Sequence, residues 1–370
     1  MVADSRADDR AFMALALAQA VRGLFTATPN PRVGCVIVRG GNVIGEGFHE
    51  RAGGPHAESA ALADARARGN DPRGATVYVT LEPCNHQGRT GPCSEALIDA
   101  GVARVVFAMR DPHAAAQGGA ATLAAAGIAI DEGVLEEDAR ELNLGFVSNV
   151  TRGMPWVRSK IAASLDGRTA LLDGKSQWIT GPEARADGHA WRARACAILT
   201  GVGTVAQDNP ALTVRALPTS RQPLRIVVDR HGDTPRDARV LADDNALIVT
   251  ASSKPGTAFG KVEVLDLPNP EGRVDLAALL RVLASRGINE LHVEAGARLN
   301  GALVEAGLVD EFLVYLAPSM IGEPARGMAM RAAPLAVLDG RIPLAFHGVE
   351  RIGADLRIVA RVIHTDGSMR

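Results

Sequence analysis

Apolar and polar positions along the chain fall into a repeating strand and helix rhythm. The β-branched run RVGCVIV from Arg32 to Val38 predicts a strand, Gly40-Gly41-Asn42 a turn, and VIGEGFH its hairpin partner. The Ala-rich stretch HAESAALADARARG ends in Gly and predicts a helix opening near His56. ATVYVTLEP then reads as a buried strand, GPCSEALIDAG as a helix, ARVVFAMRDP as a strand, ATLAAAG as a helix before IAID, and EEDARELNLGFVSNV as one last helix. Ahead of all these, Ala11 to Val21 predicts a first amphipathic helix, started by Asp8 or Asp9 and stopped at Gly23. This alternation predicts a layered α/β sheet.

At Thr151-Arg152-Gly153-Met154-Pro155 the pattern breaks, and beyond Pro155 it restarts. Strands are predicted at WVRSKIAASLDG, CAILTG, LRIVVDR, ALIVTAS, VEVLDL, ELHVEAG and EFLVYLAPS, with helices at PEARADGHAWRARA, DLAALLRVLASRG and ARLNGALVEAG. The second half is therefore also α/β. A length of 370 residues exceeds one ordinary core, which places domains at 1–150 and 154–370. The halves show no internal repeat, so duplication does not explain the length.

Composition narrows the function classes. Lys plus Arg number 40 against 42 Asp plus Glu, and aromatics make up 4%, so neither an overall positive field nor a stacking surface favours nucleic acid or an anionic membrane. A small-molecule substrate and a cytoplasmic location follow. Ala18-Gln19-Ala20 has the look of a signal cleavage site, but Asp8 and Asp9 precede a short apolar run, which favours the helix. Four cysteines in so long a chain are too few and scattered for a disulfide framework. Cys35 and Cys196 lie in or beside predicted strands and are expected in the core.

The other two cysteines carry chemistry. Pro55-His56-Ala57-Glu58 is followed by Glu82-Pro83-Cys84 and then Cys93, which offers one imidazole and two thiolates to a common point. Zinc prefers such N and S donors, and three protein ligands leave a fourth tetrahedral position for water, a catalytic rather than a structural count. Zinc lowers the pKa of its water to near 7, and Glu58, two residues after His56, is the candidate to shuttle protons. Removing an amino group from an amidine-like ring carbon needs these parts, and the order of ligands matches the signature of zinc nucleobase deaminases. That signature has two residues between its cysteines; here there are eight.

The long insert points to a family. Thr80-Leu81-Glu82-Pro83-Cys84, His86, Gly88 and Thr90 resemble the deaminase domain of the bifunctional riboflavin-biosynthesis deaminase/reductases. Pro29-Asn30-Pro31-Arg32-Val33-Gly34, Gly47, His49, Ala52-Gly53 and Asp111-Pro112 fit the same pattern. Gly91 stands where that family usually has Pro, and His113 where it usually has Asn. The resemblance implies a cytidine-deaminase-like three-layer α/β/α domain, with Asn30, His49 and Arg89 lining the pyrimidine or ribose-phosphate pocket. For each of these three, plain turn or surface duty is the alternative.

The second half is less explicit on its own. Gly201-Val202-Gly203-Thr204-Val205-Ala206 fits G-x-G-x-x-A, and Asp229 stands where a Rossmann acid would meet a ribose, so spacing alone leaves a Rossmann domain open. The stretch from Lys160 to Thr169, Ser176-Gln177-Trp178-Ile179-Thr180, Asp208-Asn209-Pro210, Leu212-Thr213-Val214-Arg215 and Val293-Glu294-Ala295-Gly296 instead resemble the family's reductase domain. That resemblance runs over about residues 8 to 360 and implies a dihydrofolate-reductase-like α/β fold using NADPH.

Carried over by position, Ala162, Trp178, Thr204, Asp208 and the run Gly296, Ala297, Arg298, Leu299, Asn300, Gly301, Ala302 would bind NADPH. Ser176, Arg192, Leu212, Arg215 and Glu294 would hold the substrate, the arginines by paired contacts to its phosphate. Ala297-Arg298 departs from the family's usual Pro-Thr, and Lys160 and Asp166 are candidates to order the site. The activity implied is zinc-dependent hydrolytic deamination of a phosphoribosylaminopyrimidine, then NADPH-dependent reduction of its ribosyl group. The rivals are a deaminase acting on bases in nucleic acid, which the charge and aromatic content disfavour, and a binding protein without turnover, which Glu58 and the ligand set disfavour for the first half. Whether the chain forms a homo-oligomer is open at this level.

Overall fold

The computed structural model describes residues 2–87, 91–252 and 258–363. The chain divides into two compact units, Met1–Arg152 and Gly153–Arg370.

In the first unit, α1 (Val2–Arg22) precedes the hairpin β1 (Gly34–Arg39) and β2 (Asn42–Phe48); α2 (Ala57–Ala67), β3 (Thr76–Leu81), α3 (Cys93–Asp99), β4 (Arg104–Met109), α4 (Gly119–Ala125) and β5 (Ala129–Glu132) follow. The unit closes with α5 (Glu136–Leu142) and α6 (Leu144–Arg152). The strands form one sheet in the order β2-β1-β3-β4-β5, antiparallel on both sides of β1 and parallel from β3 to β5. Helices α1 and α2 pack on opposite faces, giving the three layers expected. Val36, Ile37, Val77, Val79, Val105 and Phe107 fill the sheet's interior.

Two local expectations are revised. The first helix starts at Val2, so Asp8 and Asp9 lie within it rather than capping it. Asp9 is buried there because both Arg104 guanidinium nitrogens donate to its carboxylate at 2.8 Å and the Tyr78 hydroxyl donates at 2.8 Å. The last predicted helix is two, broken at Asn143, whose side chain accepts the Arg32 N–H at 2.7 Å and donates to the Arg32 carbonyl at 3.0 Å.

The second unit begins with β6 (Trp156–Ser164), β7 (Arg168–Leu171), α7 (Pro182–Arg194), β8 (Ala197–Gly201), α8 (Val202–Asp208), β9 (Leu224–Val228), β10 (Ala246–Thr250) and β11 (Glu263–Asp266). It continues with α9 (Leu276–Ser285), β12 (Glu290–Val293), α10 (Ala297–Glu305), β13 (Glu311–Ala317), β14 (Ala325–Gly327), β15 (Leu344–Ile352) and β16 (Asp355–Val362). Nine strands form one sheet in the order β11-β10-β9-β8-β12-β6-β13-β16-β15, parallel as far as β13 and closed by the antiparallel β16 and β15. β12 lies between β8 and β6, which is not the Rossmann order. Helix α8 starts at once after Gly201 and takes Gly203 into its first turn. Asp229 is buried and accepts the N–H groups of Gly232 and Thr234 and the Thr234 hydroxyl, so it braces a turn instead of facing a ribose.

The sheet face under α7 is charged rather than apolar. Arg158 is about as buried as any side chain in the unit and pairs with Glu311 and with Glu290, to which Arg194 also donates at 2.8 Å. Arg361 donates to Glu311 at 3.0 Å, and the Arg158 guanidinium lies 4.5 Å from the Trp191 ring centre. Each buried charge thus has an opposite partner, the condition under which such a layer survives burial.

Candidate active sites

In the first unit, two helix starts converge on the end of β3. His56 is the extended residue before α2, Glu58 lies in the first turn of α2, Cys93 is the first residue of α3, and Cys84 follows β3 by three residues. The His56 Nδ1 atom lies 3.4 Å from Cys84 Sγ and 3.3 Å from Cys93 Sγ. These donor atoms all fall within 4.8 Å of one another. The hydrogen bond from Cys93, ahead of the one with His56, pulls the Cys84 thiol down, while Cys84 first and burial second push Cys93 up. Two sulfurs so close cannot both ionise unless a cation joins them, and an N,S,S donor set fits zinc.

The loop is held from behind. The Glu82 carboxylate accepts the N–H groups of Gly118 and Ala120 at 3.2 Å, tying it to the start of α4. A Cβ on Gly119 would stand 1.8 Å from the Pro83 carbonyl oxygen, so only glycine lets α4 sit against the ligand loop. Glu58 is 4% exposed, and burial raises its carboxyl to about 7. Such a group holds or releases a proton near neutral pH.

Asn30 and His49 are brought to this site. The His49 Nδ1 lies 2.9 Å from the Pro55 carbonyl, which can only accept, so that nitrogen carries the hydrogen and Nε2 accepts from the Asn30 amide at 3.0 Å. Burial lowers the His49 pKa, which favours this neutral tautomer, and its ring meets His56 edge-on at 5.5 Å. Arg89 lies outside the described residues. His113 is exposed, its backbone N–H on the Asp111 carboxylate at 2.8 Å. Cys35 and Cys196 are buried core residues, as expected.

In the second unit, three of the substrate candidates, Arg192, Arg215 and Glu294, come together beside β12, while Ser176 bonds instead to Asp208. Arg192 of α7 donates to both oxygens of Glu294 at 2.5 and 2.8 Å, and to the Thr213 carbonyl at 3.2 Å. Its fork is therefore committed to a carboxylate rather than open for paired contact with a phosphate. Burial works to raise Glu294, but Arg192 overcomes it and holds the carboxyl well below its usual range. Arg215 is exposed and reaches the Thr213 hydroxyl at 3.1 Å, while its N–H donates to His189 Nδ1 at 3.2 Å. Burial, then Arg192 and Arg215, hold His189 down to about 4. Lys160 also faces Glu294, and burial lowers its pKa. Leu212 is 3% exposed and packed in the core, so only its backbone, at φ 49°, is available to a ligand.

The cofactor candidates divide. Helix α10 opens from extended Gly296, and the Asn300 N–H closes its first turn, so the N–H groups of Ala297, Arg298 and Leu299 point out of the helix end. Thr204 on α8 reaches this end, its Oγ1 standing 3.7 Å from where a Gly296 Cβ would be. Outward N–H donors at a helix start beside a hydroxyl suit a phosphate-bearing cofactor. Asn300 and Gly301 turn inward instead: Asn300 donates to the carbonyls of Ala295 and Met328 at 3.2 Å, and a Gly301 Cβ would meet the Met330 carbonyl oxygen at 1.8 Å. They brace the helix, and Ala302 is exposed beyond them. Burial raises the Asp208 carboxyl, and a hydrogen bond with Ser176 opposes this. Trp178 is exposed, with the Arg185 guanidinium 4.7 Å from its ring centre, and Ala162 is half-buried on β6. Asp166 accepts from Ser164 and from the N–H groups of Ile321 and Gly322, which orders the loop before β14. His189 escaped the sequence reading, although it stands one helical turn before Arg192 on the same face of α7.

A zinc-binding deaminase unit followed by a reductase unit defines a bifunctional deaminase/reductase. The model for the cytidine and deoxycytidylate deaminase zinc-binding region matches residues 6–109, and that for the RibD C-terminal domain matches residues 155–358. The chain belongs to the RibD family of riboflavin biosynthesis proteins. It is 44% identical to riboflavin biosynthesis protein RibD of Escherichia coli K12 over 362 residues, 94% of this chain and 98% of that one. The RibD of Aquifex aeolicus is 40% identical, covering 95% of this chain and 97% of that one. Among solved structures, Acinetobacter baumannii RibD matches with a TM-score of 0.88 and 40% identity, covering 97% of this chain and 100% of that chain. The diaminohydroxyphosphoribosylaminopyrimidine deaminase/5-amino-6-(5-phosphoribosylamino)uracil reductase of Thermotoga maritima matches with a TM-score of 0.88 and 33% identity, covering 97% and 99%. The chain is thus a bifunctional riboflavin biosynthesis enzyme, with zinc as cofactor of its deaminase domain and NADPH of its reductase domain.

Proposed function

We propose that residues 1–150 hydrolyse the ring amino group of 2,5-diamino-6-(5-phosphoribosylamino)pyrimidin-4(3H)-one. Residues 154–370 then reduce the ribosyl group of the resulting 5-amino-6-(5-phosphoribosylamino)uracil to ribityl. The observation that carries this reading is the gathering of His56, Cys84 and Cys93 at one point, with the buried Glu58 carboxyl two residues from His56. Those three residues would hold zinc, which when bound supplies a water activated at neutral pH. Glu58 takes the proton of the attacking water and delivers protons to the ring nitrogen and to the departing amine. A C–O bond forms, the C–N bond breaks and ammonia leaves. Asn30 and His49, fixed in one hydrogen-bonding sense, orient the pyrimidine.

NADPH supplies the hydride in the second step. The outward N–H groups of Ala297, Arg298 and Leu299, with Gly296 and Thr204, bind its phosphates, while Trp178, Ala162 and Asp208 line its path. Lys160, Arg192 and Arg215 surround the single carboxylate Glu294, and this cation excess suits the dianionic ribose phosphate. The Leu212 backbone adjoins Thr213 of that pocket, and Ser176, bonded to Asp208, meets the substrate from the cofactor's side. Among the described residues no helix is long and apolar enough to cross a membrane. A net charge of −2 supports a small-molecule partner over nucleic acid, and the cytoplasm is the compartment we infer.

The test follows ammonia release and NADPH oxidation separately in zinc-loaded protein and in Glu58→Gln. Loss of about 10²- to 10⁴-fold in ammonia release is expected. NADPH oxidation on preformed uracil product stays intact. Wild type releasing no ammonia from this substrate would overturn the assignment.

A further inference from the structure

His189 sits among the charged residues of the second unit, yet no step described above uses it. It lies on α7 one turn before Arg192, so both side chains leave the helix on the same face. That helix is bound to the segment 213–215 at two points: Arg192 donates to the Thr213 carbonyl at 3.2 Å, and the Arg215 N–H donates to His189 Nδ1 at 3.2 Å. The ring is half-buried, and Lys160, Arg192, Arg215 and Glu294 all act on it electrostatically.

The contact with Arg215 settles where the ring hydrogen is. A backbone N–H can only donate, so Nδ1 is the acceptor and Nε2 carries the hydrogen. Burial, then the guanidiniums of Arg192 and Arg215, keep the ring from taking a second proton at neutral pH. It is therefore a neutral group with one donor of fixed direction. Among the described residues nothing in the chain accepts from Nε2. The charges beside the ring decide which ligand oxygen it suits. Glu294 is already matched by the fork of Arg192, so Lys160 and Arg215 leave a surplus of positive charge. An anionic oxygen is favoured there over a hydroxyl, both by that field and because hydrogen bonds to charged acceptors are the stronger ones.

We propose that His189 is a substrate-binding residue of the reductase step, its Nε2–H donating to a phosphate oxygen of 5-amino-6-(5-phosphoribosylamino)uracil. The role rests on residues 154–370 reducing that compound, as proposed above. His189 supplies the directed contact that Arg192, committed to Glu294, does not.

Two substitutions separate this role from mere bracing of the 213–215 segment. In His189→Asn the amide oxygen stands near the place of Nδ1 and still accepts from the Arg215 N–H, but the outer donor is gone. In His189→Gln the longer side chain carries an amide N–H out toward the place of Nε2. Full-length, zinc-loaded protein is to be assayed by NADPH oxidation on the phosphorylated compound and on its dephosphorylated form. His189→Asn is expected to raise KM for the phosphorylated compound about 10- to 100-fold with kcat nearly unchanged, and His189→Gln to stay within about threefold of wild type. On the dephosphorylated form kcat/KM should be the same in all three proteins. A KM that His189→Asn leaves unmoved, a Gln variant no better than Asn, or equal losses on both substrates overturns the phosphate contact. In unmutated protein, adding the phosphorylated compound without NADPH should shift the His189 Nε2 nitrogen resonance, and one that stays in place rejects the contact without recourse to variants. Wild type that oxidises no NADPH on the phosphorylated compound overturns the reductase reading itself, and the role of His189 with it.

Discussion

His56, Glu58, Cys84 and Cys93 stand at two helix starts and one strand end of the first unit, within 38 residues of sequence. Lys160, His189, Arg192, Arg215 and Glu294 come instead from β6, α7, the segment after α8 and the end of β12, and more than a hundred residues separate the first from the last. The first site is a donor set whose members need only reach one point, and backbone fixes each of them locally. The second is a balance of charges, in which each member's state depends on the others. Damage should therefore stay confined in the first site and spread in the second.

Cys93→Ser should produce the largest and cleanest effect. Zinc content falls well below one per chain and ammonia release drops to background, while NADPH oxidation on preformed product is unaltered. A parallel fall in reductase activity would show that the two sites do not fail independently. Arg158→Ala comes next, because it leaves Glu290 and Glu311 buried with one cation fewer. A loss of about 3–5 kcal/mol is expected. It should be read as an earlier melting step for the second unit with the deaminase unit unmoved, and a single step shifted as a whole would break the contrast.

The smallest effect is on pH dependence. His189 is neutral when folded, held at about 4, but returns to about 6.5 on unfolding, so the unfolded chain binds the extra proton. Its contribution to stability is thus full above pH ~6.5 and declines as pH falls toward 4. His189→Gln should flatten the acid limb of the second unit's melting temperature within that window, and an unchanged slope would mean that other groups dominate it.

The same contrast explains what could be read from sequence. The metal cluster was legible because its chemistry is written in residue type and short spacing, and the structure then gathers those residues. Strands such as Val77 to Leu81 and Ile198 to Thr200 were legible because they are short, mostly apolar runs buried on both faces. The charged layer around Arg158 was not, since the residues that neutralise it lie on β12 and β13, far along the chain. β15 was missed because its bulge interrupts the two-residue alternation that marks a strand. The glycine pattern at Gly201 left a Rossmann domain open on spacing alone for a related reason: it reports a strand passing into a helix, which many folds contain, and the turn partners of Asp229 are visible only in the structure. Arg192 was singled out in the sequence as a substrate ligand, but its pairing with Glu294 depends on a residue a hundred positions away.

The anchoring of Cys84 and Cys93 bears on how such centres diversify. The Cys93 N–H donates to Cys84 Sγ at 3.5 Å, the Ser94 N–H donates to the Cys84 carbonyl at 3.2 Å, and Glu82 is clamped to α4. Both ends of the insert are therefore fixed by bonds that do not involve its interior. Extending such a loop from two residues to eight adds only about 1 kcal/mol of closure entropy. A longer segment between Cys84 and Cys93 thus leaves the ion-binding core in place, so that the length of this insert and the hydrolytic chemistry can vary as separate traits.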